Sequence, residues 1–258
     1  MRIEKGMLRL KAIITDFDQT LLHTDKTLSA YAIGILQQCR ERGMALMAAT
    51  ARPERSILAY LVQIGFDAVA TMNGARILLP DRVLENGIPR QSAAAILQRL
   101  VTIPDLLISV ETSEGIYSSA AVPEWHSQFF DGFPALPTQG TLYKILVSRS
   151  DGLPPGPLDR ILTNNTYATV ANRQLVQIMS RQATKWNGIL KMLQWFHISP
   201  QKAVYFGDDN DDIEPIQKCG TGVAVSNAIQ AVIAAAGFVT GSNDEDGVAH
   251  FLEQHVLR

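Results

Sequence analysis

Three short apolar runs near the start of the chain, LKAIIT (10–15), MALMAA (44–49) and DAVATM (67–72), alternate with helical patterns. This rhythm restricts the fold more than any other feature. A short apolar run without polar alternation reads as a strand buried on both faces. Between the first two runs, Ser29 opens a helix whose apolar side is Ala32, Ile35, Leu36 and Cys39, spaced i, i+3, i+4, i+7, and Gly43 stops it. Between the second and third, Pro53 suits a first helical turn, Ile57, Leu58, Leu61 and Val62 form the inward side, and Gly65 ends it. Parallel strands need such crossovers, which are right-handed, so the opening predicts a βαβαβ unit on a parallel sheet.

The rhythm breaks after about residue 80 and returns near 186. Between them, a helix over 92–101 and strands over 105–112 and 142–148 read as α+β, as do the paired runs YATVAN and LVQIM within 167–179. The stretch 123–157 is rich in Pro, Gly and aromatic residues and reads as mostly loop. From 186 the order is helix 186–196, strand AVYFG (203–207), helix 211–218, strand TGVAV (221–225), helix 227–236, strand FVT and a last helix over 246–257. The predicted fold is α/β: a Rossmann-like, doubly wound parallel sheet built from 1–82 and 183–258, interrupted by an inserted α+β domain over 83–182.

Composition removes several function classes. With 258 residues and 47% hydrophobic content the chain can bury a core, which a disordered chain cannot. A formal net charge of −2 gives no global field that would draw nucleic acid or an anionic membrane. Cys39 and Cys219 are the only cysteines and neither lies in a metal-ligand spacing, which predicts free thiols in a reducing compartment. The first residues carry scattered charges, and no apolar run is long enough to span a bilayer. The expectation is a cytoplasmic protein with no nucleic-acid or membrane partner; oligomeric state is left open.

Chemistry concentrates where strands end. The first runs into Asp16-Phe17-Asp18-Gln19-Thr20, the second into Ala48-Ala49-Thr50-Ala51-Arg52, and AVYFG into Gly207-Asp208-Asp209-Asn210-Asp211-Asp212. Lys185 stands at the start of the helix before AVYFG. In an open α/β sheet, ligands bind beyond the carboxyl ends of the strands. Two carboxylates one residue apart at such an end can converge on a divalent cation or act as nucleophile and acid. Each group also has an ordinary use, as a helix cap or a solvated charge. An EF-hand is excluded for the acidic loop: Ile213 stands where that loop needs Gly, and Cys219 where it needs Glu.

In this order, DFDQT, AATAR, Lys185 and GDDNDD resemble the four signature motifs of the haloacid dehalogenase (HAD) phosphatase superfamily. The insertion between the second and third motifs resembles the Cof-type, sugar-phosphatase branch, as do TMNGARI (71–77), GVAVSNA and TGSNDEDGVA. The resemblance implies a mobile cap over the core and a Mg²⁺-dependent phosphatase of small phosphorylated metabolites. It implies that Asp16 is the nucleophile, forming an aspartyl-phosphate, and that Asp18 is the acid and base. Thr50 and Lys185 would contact the phosphate. Asp16, Asp18 (through its carbonyl) and Asp208 would hold Mg²⁺, with Asp212 orienting Lys185 or the metal's waters. Ala51, Arg52, Asn73 and Asp211 complete the implied substrate contacts, with Asn227 beside them.

The chain departs from the family pattern at Gln19 and Ala51, where Gly is usual, and at Asp211, where Asn is usual. Trp186-Asn187 also intervene before Gly188. Gln19 matters only if its position needs a positive φ. A phosphomutase, a catalytically silent phosphate-ligand-binding protein and, less favoured, a receiver-type signalling module are the alternatives. Trp125-His126 in the inserted domain offer a stacking and hydrogen-bonding pair for a substrate, or ordinary local packing.

Overall fold

The computed structural model of the protein describes residues 10–130, 140–149, 160–171 and 175–258. The chain divides into two compact units, one of Met1–Leu84 with Thr184–Arg258 and one of Glu85–Ala183.

The first unit is built on an eight-stranded sheet. Its central strands are β1 (Ala12–Thr15), β2 (Ala45–Ala49) and β3 (Ala68–Thr71) on one side, and β12 (Ala203–Gly207), β13 (Thr221–Ala224) and β14 (Phe238–Val239) on the other. The order is β14-β13-β12-β1-β2-β3, then β4 (Arg76–Leu78) and β5 (Val83–Glu85). Neighbours from β14 to β3 all run parallel, with Ala12 of β1 beside both Ala203 and Ala45. Every residue of β1, β3, β12 and β13 is buried, as a strand covered on both faces requires. From β1 the chain winds outward in two directions. Right-handed crossovers in opposite directions place helices on opposite faces. Accordingly α1 (Ala30–Glu41) packs with α2 (Leu58–Ile64) and α7 (Gly247–Leu252). Separately, α5 (Ile213–Lys218) packs with α4 (Lys185–Trp195) and α6 (Gln230–Ala235).

Two local expectations are corrected. The sheet is not wholly parallel, because β4 returns antiparallel against β3 through the tight turn Met72-Asn73-Gly74. The inward side of the second helix is Ile57, Leu61 and Ile64, whereas Leu58 is 51% and Val62 86% exposed. The helix starts at Leu58 after a separate short turn over Glu54–Ser56, so a pattern counted from Pro53 is out of phase with it.

The second unit is a six-stranded sheet in the order β10-β11-β9-β6-β7-β8. Its spans are Thr166–Ala171, Leu175–Ser180, Leu142–Ser148, Leu107–Thr112, Gly115–Ser118 and Gln128–Phe129 respectively. One face carries Ile108, Val110, Ile145, Val147, Val176 and Ile178, which share a core with Ala93, Ile96, Leu97 and Leu100 of α3 (Arg90–Leu100). Residues 131–139 and 150–157 of the loop-rich stretch, and residue 172 of the YATVAN run, lie outside the described residues.

Candidate active site

Five strand ends converge on one edge of the first unit's sheet. Asp16 follows β1, Thr50 follows β2, Asn73 follows β3, Asp208–Asp212 follow β12, and Asn227 lies beyond β13. Lys185 is the first residue of α4, whose Thr184 side chain caps the helix by accepting from Asn187 N. The close approach of α4 to the β3 turn depends on two glycines: a Cβ on Gly188 would lie 2.7 Å from Ala70 Cβ, and one on Gly74 would lie 2.4 Å from Thr184 O.

Lys185 is the hub. Its ammonium is buried and donates to Asp16 Oδ2 at 2.8 Å and to Asp212 Oδ1 at 2.7 Å. Burial disfavours the charge, but Asp16, Asp212 and Asp211 outweigh it and raise the Lys185 pKa well above its ordinary value. Asp16 Oδ1 accepts from Phe17 N at 2.6 Å. Burial lifts the Asp16 pKa to about 7; Lys185 pulls against it, while Asp212 and Asp208 push further up. Asp208 Oδ1 accepts from Thr20 Oγ1 at 2.7 Å, and burial with the nearby Asp212 raises its pKa to about 6. Asp212 is fully buried and spends both oxygens on protein donors. Lys185 and Tyr205 Oη donate to Oδ1, and Asp208 N and Asp209 N to Oδ2 at 2.9 and 3.0 Å.

The donor set suits a hard divalent cation. Asp16, Asp208 and Asp212 bring carboxylate oxygens within 4.8 Å of one another; with both Asp212 oxygens held by protein donors, Asp16 and Asp208 are the carboxylates with room to ligate. Ligand oxygens of an octahedral Mg²⁺ site are about 3 to 4 Å apart, given bonds of about 2.1 Å. Three crowded carboxylates with one ammonium among them also leave a surplus of negative charge for a cation to offset.

Asp18 faces a different set of partners. Arg52 grips it bidentately, with Nε to Oδ2 at 2.6 Å and Nη2 to Oδ1 at 2.7 Å, and Lys26 Nζ reaches Oδ1 at 2.7 Å. Partial burial would raise its pKa, but the two cations outweigh that and hold it at about 2. In this arrangement Asp18 is a carboxylate that only accepts. Its neighbour Gln19 stands at φ 54, so the position usually held by Gly does demand the left-handed region. The strain there is about 1 kcal/mol, and Asn227 Nδ2 secures the turn by donating to Gln19 O at 2.8 Å.

Of the remaining expected contacts, Thr50 is buried and its Oγ1 accepts from Arg52 N at 3.1 Å. Asn73 N donates to Thr50 O at 2.9 Å, and Asn73 Nδ2 to Asp211 Oδ2 at 2.8 Å. Asn73 Oδ1 is buried without a hydrogen-bond partner among the described residues. Ala51 is exposed on the same turn. In the second unit His126 is exposed at φ 51, the cap of a short turn that ends at Trp125. Sequence reasoning missed Tyr205, Thr20 and Lys26. Tyr205 was hidden in an apolar strand, while Thr20 lay inside the DFDQT motif and was legible there.

A family model described as haloacid dehalogenase-like hydrolase matches residues 13–252. The chain belongs to the haloacid dehalogenase-like hydrolase family. Among curated proteins it is 24% identical to the 5-amino-6-(5-phospho-D-ribitylamino)uracil phosphatase YitU of Bacillus subtilis, over 94% of this chain and 96% of that one. It is 23% identical to the phosphatase of the same description, YbjI, of Escherichia coli, over 96% of each. Among solved structures, a HAD subclass IIB sugar phosphatase superposes with a TM-score of 0.78 at 20% identity, covering 94% of this chain and 98% of that one. That likeness establishes the fold: a haloacid dehalogenase-type core with an inserted second unit. No helix of the described residues is long and apolar enough to cross a membrane.

Proposed function

We propose that this hydrolase is a Mg²⁺-dependent phosphatase of small phosphorylated metabolites that works through an aspartyl-phosphate on Asp16. The observation that carries the reading is the buried Lys185 ammonium shared between Asp16 and Asp212, with Asp208 beside them. Phosphoryl transfer depends on positioning and charge neutralisation, and this cluster supplies both.

Asp16, Asp208 and the Asp18 carbonyl would hold the cation, which when bound neutralises charge on the phosphoryl oxygens and on the attacking carboxylate. Asp212, its oxygens occupied by Lys185, Tyr205 and two backbone N–H groups, acts as the positioning residue for Lys185. An Asp16 carboxylate oxygen attacks phosphorus, and the bond from phosphorus to the leaving oxygen breaks. Lys185 and the Thr50 hydroxyl neutralise and orient the transferring group. Asp18 gives a proton to the leaving oxygen. It then takes one from the water that attacks the aspartyl-phosphate, so that the bond from Asp16 to phosphorus breaks and inorganic phosphate departs. For the first of these transfers Asp18 must exchange its contacts with Arg52 and Lys26 and take up a proton.

The naming of two relatives as phosphatases of a phosphorylated ribityl compound supports a small phosphomonoester as substrate. The test is phosphate release with Mg²⁺ from p-nitrophenyl phosphate and a panel of sugar, flavin, pyridoxal and nucleotide monophosphates. Asp16→Asn should abolish turnover with far-UV circular dichroism unchanged. Turnover retained by that variant overturns the mechanism.

A further inference from the structure

Asp18 has both carboxylate oxygens taken up by cations, three N–H donors in all. The cluster of Lys26, Arg52 and Asp18 therefore carries one surplus positive charge beside the proposed reaction point. The Lys26 backbone is set by the fold although its side chain is exposed, and the Arg52 side chain is partly buried. Lys26 stands at φ 68 in a turn closed by Lys26 N to His23 O at 2.9 Å and His23 N to Thr27 O at 3.0 Å. Tyr60 Oη donates to Lys26 O at 2.8 Å, and the Arg52 guanidinium lies 5.8 Å from the centre of the same Tyr60 ring. The Arg52 side chain is 20% exposed and that of Lys26 46%. Among the described residues, Asp18 is the one carboxylate with which either forms an ion pair.

This inference rests on the phosphatase reading. For Asp18 to reach a leaving-group oxygen, it must give up contacts with Lys26 or Arg52, and the partly buried Arg52 guanidinium left without a counter-charge is unfavourable. We propose that Lys26, with Arg52, is a specificity determinant for phosphomonoesters whose leaving group carries a second anionic group, a carboxylate or another phosphate. Such a group takes the place of the Asp18 carboxylate on the cations as Asp18 turns to the leaving oxygen. A neutral leaving group offers no replacement, so its complex carries the cost of the exposed pair. The attraction acts over a partly solvated cluster and weakens with ionic strength.

The test compares matched substrates that differ in that group alone: 3-phosphoglycerate against glycerol 3-phosphate, and glucose 1,6-bisphosphate against glucose 6-phosphate. The quantity read is the ratio of kcat/KM within each pair, for the wild type, Lys26→Met and Lys26→Arg. The wild type should favour the anionic member of at least one pair by about tenfold. Lys26→Met should bring that ratio below about threefold, and Lys26→Arg should restore most of it. Equal rates within both pairs overturn the proposal, as does a Lys26→Met ratio equal to the wild type's. A loss that affects both members equally also overturns it, since that is the mark of a structural role. If the neutral members turn over and Asp16→Asn abolishes it, the phosphatase reading survives such an outcome; if no phosphomonoester is hydrolysed, both fall together.

Discussion

Without a divalent cation, the folded protein should lose stability as the pH rises from about 4 to about 7. The cause is Asp16, whose carboxyl is lifted from 3.8 to about 7, mainly by burial. Between those values the folded state keeps a proton that the unfolded chain has released, so folding becomes less favourable as the pH climbs. A span of three pH units corresponds to roughly 4 kcal/mol at about 1.4 kcal/mol per unit, a large part of the 5 to 15 kcal/mol typical of a domain. Asp208, lifted to about 6, adds in the same direction. Lys185 is protonated in both states across this range, so its raised pKa contributes a constant amount. Asp18 works the opposite way, but its contribution is lost only below its ordinary value, as the pH falls towards about 2. The assay is a urea midpoint followed by far-UV circular dichroism at several pH values, in EDTA and in excess Mg²⁺. In EDTA the midpoint should fall from pH 4 to 7. Mg²⁺ should flatten or reverse the trend, because a ligand of the ionised folded state stabilises it. Asp16→Asn should remove most of the slope in EDTA. A midpoint that is flat or rises in EDTA, or a slope untouched by Asp16→Asn, would refute the reasoning.

Two further predictions concern the supports of the site. Tyr205→Phe removes the hydroxyl that donates to Asp212 Oδ1 in a fully buried setting. The expected loss is about 1.5 to 3 kcal/mol, as for hydrogen bonds to charged groups, read from chemical denaturation; a loss under about 0.5 kcal/mol would show that Lys185 alone suffices for that oxygen. For Gly188→Ala, helix propensity favours the variant by about 1 kcal/mol. The new Cβ, however, meets Ala70 Cβ at 2.7 Å and Gly74 Cα at 3.2 Å, and such overpacking costs about 1 to 3 kcal/mol. A lower Tm than the wild type is therefore expected, and a higher one would show that α4 shifts freely.

What the sequence revealed and what it hid divide along a physical line. Strand runs such as AVYFG were legible because burial on both faces leaves no polar residue to blur them, and the residues that follow such a run must lie at the sheet's carboxyl edge. That places Asp16, Thr50 and Asp208 without any knowledge of side-chain geometry. Tyr205 was hidden by the same logic, because its ring counts as core and its hydroxyl acts across the strand end. Short alternating segments such as Gly115–Ser118 carry too few residues for a period to emerge, and β4 returns through a turn with three successive residues at positive φ, Met72, Asn73 and Gly74. Lys26 and Arg52 lie 26 positions apart and meet only because the turn after β1 and the end of β2 share one sheet edge.

The departure at Asp211 has a consequence that follows from donor chemistry alone. A side-chain amide at 211 could pair with Asn73 in either orientation of the Asn73 amide. A carboxylate only accepts, so Nδ2 of Asn73 must face Asp211 and Oδ1 must face away from it. The buried, unpartnered Oδ1 is thus fixed as an acceptor. A buried acceptor of this kind suits a group that brings its own proton, such as a hydroxyl or a water. The inner cluster of Asp16, Asp208, Asp211 and Asp212 is acidic, with the Lys185 ammonium as its one cation, whereas the outer cluster of Lys26 and Arg52 around Asp18 is basic. Asp16 and Asp18, two residues apart, stand on opposite sides of that divide, and this separation lets neighbouring carboxylates of one loop meet such different partners.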